Sequence, residues 1–331
     1  MLRALINLIL KKPILVIYDV TKLCNQRCLM CNIWKTKSND MDLGRLEEEV
    51  KKLSRFGVRY VFLQGGEPLI RKDIIQIIDI FLKYRIKPTV ITNGILLTPE
   101  IASEIAKRRC NLAISIDSMD RELFAKLRGV DKLDQVLDNI RKIYKMERKG
   151  NWSITTTITG LSKFEDVREI ERFAEEHNFM FAIRPYIFVR GVAGKKNDEL
   201  MYEWKDVSEI FLYMAEKARK NNFLAYLVYR EHIRYIKGES MPMCDAAKYS
   251  FVMTESGLKS PCIEFTDINS SLENFRKNRK TFYKKLEECN KTTPCFYNDA
   301  REIGVLWRNK WLILLNAPKI IRQLIQYGNF F

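Results

Sequence analysis

Between residues 14 and 187 strand-like and helix-like patterns alternate along the chain, and this alternation restricts the fold more than any other feature. Strand-like runs lie at 14–20, 58–63, 88–92, 112–116, 153–159 and 180–187, each short and rich in β-branched or aromatic residues. Between them, Leu43, Leu46, Val50 and Leu53 recur at helical spacing behind Asp42, a residue type suited to capping. The segments 74–84, 99–108, 133–146 and 165–177 supply the other helices. Such a succession of βα units predicts a parallel sheet with outer helices, either an open doubly wound sheet or part of a (β/α) barrel. In both, functional groups gather at the carboxyl ends of the strands.

The chemistry-bearing motifs obey that rule. Cys24, Cys28 and Cys31 follow the first strand, and Gly65-Gly66-Glu67-Pro68 follows the second. Thr92-Asn93-Gly94 closes the third, Ser115 and Asp117 end the fourth, and Arg184-Pro185 lies in the sixth. One rim of one sheet therefore collects all of them. The C-x₃-C-x₂-C triplet offers three thiolates, whereas a fully ligated [4Fe–4S] cluster takes four. A cluster held here keeps one iron open to a substrate or cofactor. Structural zinc is the rival reading, but it needs a fourth Cys or His nearby, and His177 and His232 are far along the chain.

In their joint order, Cys24-x₃-Cys28-x₂-Cys31, Gly65–Pro68, Ile91–Gly94 and Ile114–Asp117 resemble the motifs of the radical S-adenosylmethionine (SAM) superfamily. The resemblance covers residues 14–190. It implies an α/β fold, a partial (β/α)₆ TIM-type barrel. It also implies a [4Fe–4S] cluster whose open iron is chelated by the methionyl amine and carboxylate of SAM. Reductive cleavage would yield methionine and a 5′-deoxyadenosyl radical that abstracts a hydrogen atom from the substrate, with a reductant such as ferredoxin or flavodoxin as partner. On this reading Gly65 and Gly66 let the backbone approach the methionine moiety, and Glu67 holds its ammonium group. Asn93, Ser115 and Asp117 are candidates for the SAM ribose or carboxylate; turn or capping roles are the alternative for each. Arg128, in Leu127-Arg128-Gly129-Val130, matches a family Arg-Gly that meets the SAM carboxylate, a surface arginine being the alternative. Met30 stands where the family often has an aromatic residue, and it can still cover an adenine face.

A second set of cysteines begins at Cys244. Twelve residues, Gly257, four more residues and Cys262 follow, then Cys289 and Cys295. This spacing resembles the twitch and SPASM extensions, and four cysteines match the shorter twitch type with one auxiliary [4Fe–4S] cluster. A Cys₄ zinc site is the alternative. Cys110, ahead of the fourth strand, reads as a core residue.

Eight cysteines in 331 residues are too few for a disulfide scaffold, and their clustering points to metal binding in a reducing compartment. The net charge of +16 suggests an anionic partner, a generally basic proteome background being the equal alternative. Residues 1–12 place Leu2, Leu5, Ile6, Ile9 and Leu10 on one helical face with Arg3, Lys11 and Lys12 as basic flanks. Residues 312–327 repeat the theme, with Ile320, Ile321, Leu324 and Ile325 beside Lys319 and Arg322. Such ends either pack on the barrel or lie on an anionic membrane. No run reaches the roughly 20 apolar residues of a membrane span, and no secretory signal is evident. The expected location is cytoplasmic, with a peripheral place at the inner face of the membrane as its extension. The expected organisation is an amphipathic segment (1–13), a barrel core (14–190), a helical connector (191–243), an auxiliary-cluster region (244–300) and a basic tail (301–331). The expected activity is a radical SAM reaction on a peptide or a small molecule, including cofactor biosynthesis. Two alternatives stand beside it: action on a lipid or isoprenoid at a membrane, and a non-catalytic iron–sulfur or zinc protein on nucleic acid. The last leaves Glu67 and the rim motifs unexplained, so nucleic acid is not an expected partner.

Overall fold

The computed structural model describes residues 13–187, 196–265, 271–292, 295–296 and 298–327. The first twelve residues and most of the 191–196 loop expected to close the barrel core lie outside them. All six expected strands form: β1 (Leu15–Thr21), β2 (Tyr60–Gly65), β3 (Lys87–Thr92), β4 (Asn111–Ser115), β5 (Trp152–Ile158) and β6 (Met180–Pro185). Each pairs in parallel with the next. The sheet then continues into the C-terminal cysteine region. There β7 (Ser250–Met253) pairs in parallel with β1, and β8 (Lys259–Ser260) pairs antiparallel to β7. The order is β6-β5-β4-β3-β2-β1-β7-β8, and no pairing among the described residues joins its two ends. These last strands, four and two residues long, are too short to leave a period in the sequence.

Helices cover the sheet: α1 (Leu43–Phe56), α2 (Ile74–Lys83), α3 (Pro99–Ala106), α4 (Arg121–Arg128), α5 (Leu133–Ile143) and α6 (Phe164–Glu176). Local chemistry sets their ends. Asp42 caps α1 by accepting from Arg45 N, and Gly57 closes it in the left-handed conformation. Thr98 caps α3 ahead of Pro99, and Asp120 caps α4. Beyond the barrel lie α7 (Trp204–Asn221), α8 (Phe223–Ile236), α9 (Leu272–Lys277), α10 (Arg279–Thr292), α11 (Asn298–Arg308), α12 (Lys310–Leu315) and α13 (Ala317–Tyr327).

Alternation along β1 separates the two faces of the sheet. Val16, Tyr18 and Val20 pack with Leu46, Val50 and Leu53 of α1 in the main core. Leu15 and Ile17, on the other face, pack with Tyr60, Phe62, Val252 and Ile303. Ile303 belongs to α11, and its neighbour Glu302 pairs with Arg184 of β6 at 2.6 Å. Thus α11 reaches from the β6 edge to β1 and β7 across the open side of the sheet.

Candidate active site

The cysteine loop leaves the end of β1 and is tied down on three sides by hydrogen bonds, two sets of them from main chain and one from side chains. Turn residues after β2 reach it first: Gly66 N donates to Thr21 O and Glu67 N to Leu23 O, each at 2.8 Å. The end of α4 holds it next, with Arg27 N donating to Arg128 O at 3.2 Å and Leu29 N to Leu127 O at 2.9 Å. The turn after β3 completes the frame, Asn93 Nδ2 donating to Asn25 Oδ1 at 2.7 Å. Two glycines make this closeness feasible. A Cβ on Gly66 would lie 2.0 Å from Leu23 O, and one on Gly129, whose φ is +70°, would lie 2.4 Å from Arg27 O.

Inside this frame the triplet's thiols are free and partly buried. Gln26 N donates toward Cys24 Sγ and Ile33 N toward Cys31 Sγ, each at 3.4 Å, and Trp34 Nε1 donates to Cys31 O at 3.0 Å. Burial pushes the Cys24 and Cys31 thiols up to about 11 and raises Cys28 as well, while the Arg128 guanidinium beside Cys28 opposes the shift. Near neutral pH the bare thiols therefore keep their protons, and iron has to displace them. No three His, Cys, Asp or Glu side chains among the described residues converge on a point suited to one metal ion. A four-iron cluster makes no such demand, since each thiolate binds a different iron. Three free thiols in one loop, with a cation and two N–H donors directed at them, fit an iron–sulfur cluster.

Glu67 is buried to 1 % exposure, and its carboxylate spans two turns. Oε1 accepts from Leu69 N at 3.0 Å and from Thr92 Oγ1 at 2.7 Å, and Oε2 accepts from Asn93 N at 2.8 Å. Burial raises its pKa, and these hydrogen bonds pull it back. A carboxylate offers about four acceptor sites; three are used, leaving capacity for one more donor.

The remaining expected residues divide by what they touch. Asp117 and Arg128 form a buried ion pair, Oδ2 and Nη2 2.7 Å apart, and Asp117 Oδ1 accepts from Thr157 N at 2.8 Å. Arg128 is therefore no surface arginine, and its buried Nε has no hydrogen-bond partner. Asn93 uses its amide for Asn25 and Ile95 N, so it knits loops together. Ser115 stands half-buried at the end of β4. Arg184 is engaged with Glu302. Cys110 is buried in the main core and donates to Asn111 O at 3.3 Å.

Two site residues escape a reading from motifs. Asn25 tethers the loop to the turn after β3, and Asp19 lies on the face of β1 opposite α1. Asp19 is buried, Gln64 Nε2 donates to it at 3.4 Å, and burial lifts its carboxyl to about 7. A signal was present: Asp19 continues the alternation of Leu15 and Ile17, so a carboxylate occupies an inward-facing apolar position.

Among the C-terminal cysteines, Cys262, Cys289 and Cys295 are buried and Cys244 is half-buried. Burial raises the Cys244 thiol, nearby Arg301 opposes this, and Cys289 adds to it, so these three groups are neighbours. No helix among the described residues is long and apolar enough to cross a membrane.

Known proteins resemble this chain in sequence and in fold. Residues 18–175 match the family model of the radical SAM superfamily. A probable GTP 3′,8-cyclase of Pyrococcus abyssi is 36% identical over 134 residues, covering 39% of this chain and 42% of the relative. The mycofactocin maturase MftC of Mycolicibacterium smegmatis is 25% identical over 170 residues, covering 50% of this chain and 42% of the relative. The chain thus spans less than half the length of these curated relatives. Streptococcus suis SuiB bound to S-adenosylmethionine has the same fold, with a TM-score of 0.63 at 20% identity over 82% of this chain and 66% of that one.

Proposed function

We propose, on the premise that residues 18–175 match the radical SAM superfamily, that this chain binds SAM at the Cys24–Cys28–Cys31 loop and starts hydrogen-atom abstraction on a peptide or a cofactor precursor. The observation that carries the reading is the three-sided anchoring of the cysteine loop beside Gly66, Glu67 and Arg128. When bound, a reduced [4Fe–4S] cluster with SAM supplies a carbon radical, chemistry that side chains alone lack. The chain's own residues do the rest. Cys24, Cys28 and Cys31 hold the cluster, and the close backbone at Gly65 and Gly66 accepts the methionine moiety. The fourth acceptor site of Glu67 takes its ammonium, and Arg128 with its free Nε–H faces the carboxylate. Ser115, half-buried at the end of β4, is left for the SAM ribose or carboxylate, while Asn93 and Asp117 frame the site through the partners described above. Cys244, Cys262, Cys289 and Cys295 hold an auxiliary cluster, and a ferredoxin- or flavodoxin-like protein delivers electrons. The match to the radical SAM superfamily favours this reading over a non-catalytic zinc or nucleic-acid-binding protein.

The substrate class draws its support from the relatives, whose names concern GTP cyclisation and mycofactocin maturation, and from SuiB, crystallised with precursor peptide SuiA. The test is anaerobic reconstitution, reduction and incubation with SAM, reading 5′-deoxyadenosine. The intact chain should form it and Cys28→Ala should not; equal yields from both would end the assignment. Stimulation by a peptide but not by GTP, or the reverse, separates the two substrate classes.

A peripheral place on anionic membranes is supported by α12 and α13. Trp311, Leu314, Leu315 and Ile321 are 69, 61, 81 and 56% exposed, far beyond what a monomer's core-facing helix leaves uncovered. Lys220, Lys319 and Arg322 line a groove of about 430 Å³ beside Leu315. Apolar side chains bordered by cations suit an anionic bilayer surface. Flotation with phosphatidylglycerol vesicles should retain the protein, and phosphatidylcholine vesicles should not. Trp311→Ser with Leu315→Ser should abolish retention, and unchanged retention would overturn this reading.

A further inference from the structure

Arg301, on α11, is buried to 1 % exposure inside the C-terminal cysteine region. Its Nη1 donates to Pro242 O and its Nη2 to Asn290 Oδ1, each at 2.6 Å. Pro242 stands two residues before Cys244, and Asn290 follows Cys289, so the guanidinium is clamped by the two segments that present these thiols. Its Nε is buried without a hydrogen-bond partner, and no carboxylate among the described residues forms an ion pair with it. The charge is close enough to act on Cys244 and on Tyr235, and Tyr235 in turn feels Cys295. The contrast with Arg308 on the same helix is informative, because Arg308 has its own carboxylate in Asp245.

A guanidinium buried with only neutral acceptors is costly unless an anion stands beside it. Four thiolates around an iron–sulfur core form such an anion, and one more electron makes it more negative. We propose that Arg301 is the counter-charge of the auxiliary cluster, its unpaired Nε–H donating to a cluster sulfur and raising the cluster's reduction potential. This rests on the auxiliary-cluster reading given above. Arg301 is a positioning and tuning residue, since it acts through the cluster rather than on substrate. The physical reason is differential: a fixed cation stabilises the reduced, more anionic state more than the oxidised one.

The test isolates the auxiliary cluster in the full chain carrying Cys24→Ser, Cys28→Ser and Cys31→Ser, reconstituted anaerobically. Iron is counted, and the cluster is titrated with a chemical reductant under electron paramagnetic resonance. Arg301→Met should make the cluster about tenfold harder to reduce at a fixed potential, a downward shift of about 59 mV for one electron. Arg301→Lys, which keeps the charge, should restore most of the shift. If Arg301→Met does not fold, Arg301→Gln is read in its place. An iron-loaded Met or Gln variant with the parent's midpoint would overturn the role of Arg301. A triple-serine parent that takes up no iron, or only zinc, would overturn the auxiliary cluster itself before Arg301 is altered, so the two failures are distinguishable.

Discussion

Single side chains in the site are committed to partners whose removal has a calculable cost. Asp117 neutralises Arg128 in a buried pair and accepts from Thr157 N. Asp117→Ala leaves that guanidinium uncompensated and should destabilise the fold by about 3–5 kcal/mol; a shift of the urea midpoint at constant slope checks this. Asp19 makes a different prediction, one of pH. Its carboxyl, lifted by burial to about 7 from an ordinary 3.8, holds a proton in the fold that the unfolded chain has already released. The native state therefore binds more protons across that interval. The stability due to protonated Asp19 is complete below the unfolded value and is lost as pH rises through about 7. Asp19→Asn should flatten this dependence, removing up to roughly 1.4 kcal/mol per pH unit of slope. Unfolding curves at about pH 5 and pH 8 decide it, parallel losses in both proteins counting against the assignment.

At the scale of elements, the cysteine loop owes its position to main chain more than to side chains. Its ligands follow one another closely in sequence, but the turns after β2 and β3 and the end of α4 hold it in place. Gly66→Ala changes no thiolate, yet its Cβ would meet Leu23 O at 2.0 Å. Iron bound per chain after reconstitution should therefore drop severalfold. Gly44→Ala in α1, where the nearest atom is Asp42 Oδ1 at 3.3 Å, should leave it unchanged. Equal iron in both variants would mean that the turn can shift without moving the loop.

Over the whole molecule, the C-terminal region acts as part of the barrel. β7 and β8 extend the sheet beyond β1, and α11 crosses its open side, pairing Glu302 with Arg184 and packing Ile303 against Leu15, Ile17 and Phe62. Ile303→Ala should cost about 1–2 kcal/mol, less than a fully buried isoleucine would. Amide exchange in β1 and β7 should quicken before that in β3 and β4. Uniform exchange across all eight strands would show that α11 contributes no local seal.

How much of this was legible in the residues follows from the range of the forces concerned. The six strands, the cap at Asp42 and the gathering of motifs on one rim were readable, because period, capping and strand polarity are local properties. The triplet's spacing likewise offered three thiolates where a fully ligated cluster takes four, since ligand count is written in spacing. β7 and β8 left no period to read, and the pairing of Arg128 with Asp117, the threefold use of Glu67 and the place of Arg301 left no local trace. They depend on residues distant in sequence meeting in a low-dielectric interior, where each buried charge must find its partner. Sequence alone thus determined which thiols are candidates to hold a cluster, and tertiary structure decided which charges stand beside those thiols.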